Sequence, residues 1–225
     1  MSYLDTLIFG IYPYIAGAVF LLGSLVRFER DQFTWKSGSS QLLRTGELRT
    51  GSLYFHAGIL LLFFGHFVGL LTPPELYHAF GLSTSAKQVL AVIAGGIFGV
   101  MCFYGLFILM RRRLTDPRIR ATSTRMDIVL LYLLMAQLVL GLITLPISLF
   151  HLDGSNMLLL AGWAQRIVTF RGGAAELVAN VSWVFKLHLF LGMTLFLIFP
   201  FSRLVHIWSA PLGYLIRPYQ VVRQR

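Results

Sequence analysis

The sequence predicts an all-α integral membrane protein with five transmembrane helices. Three observations carry that prediction. Of the 225 residues 56% are hydrophobic, mean hydropathy is +0.73, and only 12% carry charge. The apolar residues gather into five stretches of about 20 or more, the length that crosses a hydrocarbon core of roughly 30 Å. Basic residues collect at the ends of those stretches, not along them.

The first stretch covers about 3–26. No small-residue cleavage site follows it in a soluble context, so Met1 onward is expected to be mature protein and the stretch a permanent helix. The second, about 51–72, is stopped by Pro73-Pro74. The third, about 88–110, holds the lone cysteine, Cys102. One thiol forms no internal disulfide and offers no CxxC pair, which argues against an iron–sulfur cluster or structural zinc within this chain. The fourth stretch, about 127–149, contains Pro146, and the fifth, about 181–208, contains Pro200. Neighbouring helices tolerate such kinks in a membrane. Pro117 breaks the connection between the third and fourth. The connection 150–180 contains an apolar run from Met157 to Trp163, continued by Ala164 to Val168. It reads as an amphipathic helix at the interface, ended by Gly172-Gly173. No repeat, low-complexity segment or linker divides the chain, so 1–225 reads as a single transmembrane domain.

An odd number of spans puts the two termini on opposite sides. The connection 27–50, the connection 111–126 and the carboxyl-terminal tail then share one side and carry 14 basic residues, among them Arg44, Arg112, Arg113, Arg217, Arg223 and Arg225. The opposite side has 4: Lys87, Arg166, Arg171 and Lys186. By the positive-inside rule the amino terminus lies outside and the carboxyl terminus in the cytoplasm. The formal charge of +10 is thereby explained as orientation and headgroup contact, with no need for a nucleic-acid partner.

Four of the six histidines lie within two of these stretches, His56 and His66 in the second, His188 and His206 in the fifth. An ionisable ring at such depth is costly unless something holds it, so it marks a functional site. Two histidines facing two suggest bis-imidazole haem, each iron taking one imidazole from each helix. Hydrogen-bonded histidines in plain helix packing are the alternative for any one of them, but four at two matching depths favour haem. The assigned orientation pairs His56 with His206 on the cytoplasmic side and His66 with His188 on the outer side. Ten residues of helix rise about 15 Å and 18 rise about 27 Å, so tilt must absorb the difference, with the irons roughly 20 Å apart. Eighteen residues make five whole turns, placing His188 and His206 on one face, whereas His56 and His66 lie roughly 80° apart. Gly58, Gly65, Gly69 and Gly192 would let a flat macrocycle approach the backbone, although small residues equally serve close helix packing. Arg203, three residues before His206, and Lys186, two before His188, are candidate propionate contacts; Lys186 also fits a snorkelling lysine. His78 and His151 stand in or beside connections and are assigned no ligand role.

Several motifs resemble a known family. They are Ile11-Tyr12-Pro13-Tyr14-Ile15-Ala16-Gly17-Ala18-Val19-Phe20, Gly65-His66-Phe67 with Leu71-Thr72-Pro73, Gly162-Trp163-Ala164-Gln165, and the final span from Leu187-His188-Leu189 through Phe199-Pro200-Phe201-Ser202-Arg203 to His206-Ile207-Trp208-Ser209. Together they are similar to the gamma subunit, a membrane cytochrome b, of respiratory nitrate reductase, over essentially the whole chain. The resemblance implies a multi-pass subunit of the bacterial cytoplasmic (inner) membrane that oxidises quinol on the outer side. Electrons would pass through two b haems to a cytoplasmic iron–sulfur subunit and on to a molybdenum catalytic subunit that reduces nitrate. It places the four iron ligands on His56, His66, His188 and His206, and the quinol site on Lys87, His66 and Gly65. No region for a molybdenum cofactor is visible, so the chain reads as an enzyme subunit. The basic connections and tail are the expected docking surface for the iron–sulfur partner.

Two other functions stay open at this level: the cytochrome b anchor of a hydrogenase or formate dehydrogenase, and a transporter whose histidines relay protons. The family motifs of the first are absent, as are the repeat symmetry and broken helices of the second. The charge asymmetry gives a direct expectation. Tags at the amino terminus and in 150–180 will react with impermeant reagents on intact cells, and a carboxyl-terminal tag will not; labelling of the carboxyl terminus from outside would overturn the orientation.

Overall fold

The structure is a computed structural model describing residues 2–38, 40, 43, 45–210 and 216–219. Arg44, Arg223 and Arg225, counted above among the basic residues, lie outside the described residues. Among the described residues five helices are long and apolar enough to cross a membrane: Tyr3–Arg30, Thr45–Leu71, Thr84–Thr115, Arg125–Leu149 and Trp183–Phe201. They are called the first to fifth long helices. Shorter helices, Pro74–Ala79, Pro117–Ala121, Ser155–Val168 and Ala174–Val178, occupy the connections.

Several helices start before their apolar stretch because their caps lie in the polar flank. Ser83 accepts from the Ala86 N–H at the start of the third helix. Thr124 and Asp127 form a reciprocal capping box at the start of the fourth, satisfying backbone donors that a helix start leaves without partners. Lys87, expected just outside the third span, therefore sits in the first turn of its helix.

The second helix packs on the third, the third on the fourth, the fourth on the fifth, and the fifth on the first. Glycines set the closest of these contacts. A Cβ built on Gly58 would lie 2.7 Å from the Cys102 Cα, and one on Gly105 would lie 2.7 Å from the Gly51 carbonyl oxygen. The second and third helices thus meet backbone to backbone and antiparallel, the small-residue packing expected where lipid supplies no hydrophobic drive between helices. Gly58 consequently serves the helix contact. The first and fifth helices run parallel, with Tyr12 against Phe190 and Phe20 against Phe196; the Tyr12 and Thr194 hydroxyls share a hydrogen bond of 2.9 Å.

Two prolines shape what lies at the ends. Pro13 has no N–H for the Phe9 carbonyl four residues back, and the helix passes through a π turn at Leu7–Ile11. The indole N–H of buried Trp163 donates to that carbonyl at 2.9 Å, so the helix Ser155–Val168, which packs on the second helix and on Ala174–Val178, is also tied to the first helix through Trp163. That helix ends at Val168, earlier than the glycine pair suggested; Gly173, at φ +76°, instead begins Ala174–Val178.

The fifth helix departs from the expectation of one continuous helix over 181–208, and with it from the expectation that no helix is broken. It is α-helical only over Trp183–Ile198, followed by 3₁₀ turns at Phe199–Phe201 and Arg203–Ser209, with Ser202 extended between them. Pro200 is the cause. It cannot donate to the Phe196 carbonyl, which accepts instead from the Phe199 N–H. Arg27 Nη1 then donates to the Pro200 and Ser202 carbonyls at 2.7 and 2.9 Å, and Gly23 leaves room for the Pro200 ring.

The outer surface is apolar over long runs, with Leu60, Leu61, Phe63, Phe64 and Phe67 of the second helix exposed. A patch of that extent exceeds what proteins show to water and suits lipid. Gly105→Val is expected to cost about 3 kcal/mol, because the side chain has no room against Phe55 and Gly51. Gly17→Ala, whose added Cβ meets nothing within 4 Å, should be near neutral; comparison of thermal aggregation midpoints in detergent tests the pair.

Candidate functional site

His56 and His66 lie on the second long helix, His188 near the start of the fifth, and His206 on the 3₁₀ segment Arg203–Ser209. The structure brings His56 to His206, with ring centres 6.3 Å apart and planes inclined at 76°. It brings His66 to His188, with ring centres 6.2 Å apart and planes at 41°. The unequal spacings of 10 and 18 residues are reconciled without five straight turns, since only His188 to Ile198 of the second interval is α-helical.

In every one of the four rings Nδ1 is held by a main-chain carbonyl. His56 Nδ1 donates to Ser52 O at 2.8 Å, His66 to Leu62 O at 2.7 Å, His188 to Gln137 O at 3.1 Å and His206 to Arg203 O at 2.6 Å. A carbonyl only accepts, so each Nδ1 carries the proton and each Nε2 presents a lone pair, the tautomer a metal ligand needs. A metal–imidazole bond is about 2 Å and the nitrogen lies about 1 Å from its ring centre, so one ion between two rings needs centres about 6 Å apart. Both pairs have that separation. Among the described residues no three His, Cys, Asp or Glu side chains converge on one point. Two facing imidazole nitrogens are a donor set that would suit the iron of a haem.

The surroundings of the pairs are small or polar. A Cβ on Gly141 would lie 3.0 Å from His188 Cε1, so glycine makes room for that ring. Gln137 Nε2 lies 3.4 Å from His188 Nε2 and 3.3 Å from a Cβ built on Gly192. Nothing lies within 4 Å of a Cβ built on Gly65 or Gly69. Sequence reasoning missed Gln137 and Gly141, because their proximity to His188 depends on the crossing of the fourth and fifth helices.

Lys87 is only 8% exposed, which excludes a side chain snorkelling to the surface. Its Nζ donates to the Thr72 carbonyl at 3.4 Å and stands 4.0 Å over the centre of the buried Tyr77 ring. Gln165 Nε2 donates to Leu70 O at 3.0 Å and Thr72 O at 3.5 Å. Lys87 and Gln165 thus converge on the carboxyl end of the helix that carries His66, where the last carbonyls have no helical partner. Tyr77 was not singled out in the sequence; an aromatic ten residues before a lysine carries no local signal.

The two basic residues weighed as propionate contacts both have protein partners. Arg203 Nε donates to Asp127 Oδ1 at 2.7 Å and its Nη2 to Gly38 O at 3.2 Å. Lys186 Nζ donates to Asp5 Oδ1 at 3.0 Å and Ala179 O at 2.6 Å, tying the first and fifth helices at that end. His78 and His151 are exposed; His78 Nε2 shares a hydrogen bond with the Thr84 hydroxyl, and His151 Nδ1 donates to the Ile147 carbonyl.

The family model described as nitrate reductase gamma subunit matches residues 5–225. The chain is 53% identical over 225 residues to the respiratory nitrate reductase 1 gamma chain of Escherichia coli (strain K12), covering 100% of both chains. It is 51% identical to the respiratory nitrate reductase 2 gamma chain of the same organism, over 100% of this chain and 99% of that one. Against the nitrate reductase gamma chain of Bacillus subtilis (strain 168) the identity is 38% over 219 residues, 97% of this chain and 98% of the relative.

Proposed function

The chain belongs to the nitrate reductase gamma subunit family, and from that premise we propose that it is the quinol-oxidising membrane subunit of a respiratory nitrate reductase in the bacterial inner membrane. Its amino terminus lies outside and its carboxyl terminus in the cytoplasm, the orientation that the basic residues favour. His66 and His188 hold one b haem toward the outer side, and His56 and His206 hold the other toward the cytoplasm. When bound, the haems supply one-electron carriers between quinol and a cytoplasmic iron–sulfur subunit, which serves a molybdenum catalytic subunit. The observation that carries the reading is the pair of ring separations, 6.3 and 6.2 Å, with all four Nδ1 atoms tied to carbonyls.

Quinol oxidation is assigned to the end of the second helix around Gly65, His66 and Lys87. An ammonium has three N–H donors, and Lys87 uses one in a long bond to Thr72 O. The Tyr77 ring beneath Nζ holds the charge in place by a cation–π contact. The remaining donors are available to a quinol oxygen, and their hydrogen bond strengthens as that oxygen loses its proton. Gly65, beside His66, carries no side chain to obstruct a planar ligand.

Two measurements test this reading. In reduced-minus-oxidised optical spectra, His66→Ala and His188→Ala are expected to remove one b-type component, and His56→Ala and His206→Ala the other; loss of a shared component by His56→Ala and His188→Ala would overturn the pairing. Lys87→Ala is expected to retain dithionite-reducible haem while quinol-dependent reduction falls about 10-fold or more, the worth of one hydrogen bond to a charged group. Normal quinol-dependent reduction would move the quinol site elsewhere around His66.

A further inference from the structure

We propose that Asp127 is a positioning residue for His206, acting through Arg203. The inference rests on the reading of His56 and His206 as haem ligands and goes beyond it by naming what orients the less rigid of the two. His56 rides on a continuous α-helix, whereas His206 rides on a 3₁₀ segment that follows the extended residue Ser202. Such a segment has poorer hydrogen-bond geometry than an α-helix and needs outside contacts to hold its orientation.

Those contacts form an unbroken series. The His206 Nδ1–H donates to the Arg203 carbonyl at 2.6 Å. The Arg203 guanidinium donates through Nε to Asp127 Oδ1 at 2.7 Å. Asp127 is itself fixed, because Oδ2 accepts from the Thr124 N–H at 2.9 Å and lies 3.8 Å from Arg113 Nη1. The carboxylate therefore transmits the position of the fourth helix, through one side chain and one carbonyl, to the ligand nitrogen's own ring. Arg27 holds the Pro200 and Ser202 carbonyls from the first helix, Arg203 Nη2 also donates to Gly38 O and Trp35 Nε1 to Ser209 Oγ; Asp127 is the anchor that ties the segment to the fourth helix. Groups that orient a metal-bound imidazole through its second nitrogen typically change metal affinity by about 10-fold or more when lost.

The arrangement also fixes a ring angle. The His56 and His206 planes stand at 76°, and a haem held between these two rings would carry their mutual orientation into its ferric magnetic resonance signal. Release of Arg203 would let the Arg203 carbonyl and the His206 ring turn together, changing that angle.

The test is ferric electron paramagnetic resonance and haem retention in the full chain, assembled in membranes, for Asp127→Asn, Asp127→Glu and Thr124→Ala. In Asp127→Asn the component lost in His206→Ala is expected to shift its low-field feature and to be depleted about 10-fold faster under mild haem extraction, while the component lost in His188→Ala is unchanged. Asp127→Glu should restore part of the signal position. Thr124→Ala removes the hydroxyl cap but leaves the carboxylate facing Arg203, and should move neither component. An unshifted His206 component in Asp127→Asn overturns the proposal, as does an equal shift in Thr124→Ala, which would assign Asp127 to helix capping alone. If Asp127→Asn fails to assemble, Asp127→Glu decides: a displaced His206 component beside an unmoved His188 component supports the proposal and an unmoved His206 component overturns it. Absence of both components from the unsubstituted protein would instead refute the haem reading itself.

Discussion

An imidazole in hydrocarbon must have both of its nitrogens engaged, and that requirement organises the centre of this molecule. Each of the four rings meets it on one side with a main-chain carbonyl. For His56 and His66 the carbonyl is four residues back on the same helix, which any α-helix offers. For His188 it belongs to Gln137 on the neighbouring helix, and for His206 to Arg203 in a non-α segment. The ring orientation on the second helix is thus locally determined, whereas on the opposite side it depends on how the fourth and fifth helices cross and on what holds the segment beyond Pro200.

The prolines show how a membrane protein accommodates broken helical hydrogen bonds. Pro13 and Pro200 each remove a donor that the low-dielectric interior cannot replace with water, and near each a side chain from another helix is drawn in, whereas the fourth helix continues through Pro146. Trp163 answers the Phe9 carbonyl released by Pro13. Arg27 takes up the Pro200 and Ser202 carbonyls after the break in the fifth helix. These substitutes are long-range contacts, so local irregularity becomes tertiary specificity: the break that frees the His206 segment also fixes the first helix against it.

Charge is handled the same way at both ends of the bundle. Asp127 meets Arg203 and Arg113, and Asp5 meets Lys186. Asp127, the more buried of the two acids, leaves Arg203 and Arg113 without their counter-charge if removed, whereas the more exposed Asp5–Lys186 pair acts as a tie between helix ends. Lys87 differs, since it is buried with a single carbonyl and an aromatic face for partners. A side chain so placed keeps donors available to a ligand, and the proposal that it binds quinol rests on that.

The sequence by itself determined the five apolar helices, because length and hydrophobicity are one-dimensional properties that the bilayer reads directly. It also determined that four histidines had to be explained, since their depth follows from position along a span, and its motifs identified the family. Tertiary structure decided what depends on helices crossing: that Gly58 and Gly105 serve contact between the second and third helices, that Gln137 and Gly141 surround His188, and that Tyr77 underlies Lys87. It also decided that the last span is broken. Pro200 was visible in the sequence, but a proline can kink a helix or end it, and the choice here turns on Gly23 admitting the ring and Arg27 reaching the exposed carbonyls. Arg203 illustrates the same limit. Its spacing from His206 was legible, but its partner was not, because Asp127 lies 76 residues away and only the packing of the fourth helix brings the carboxylate to the guanidinium.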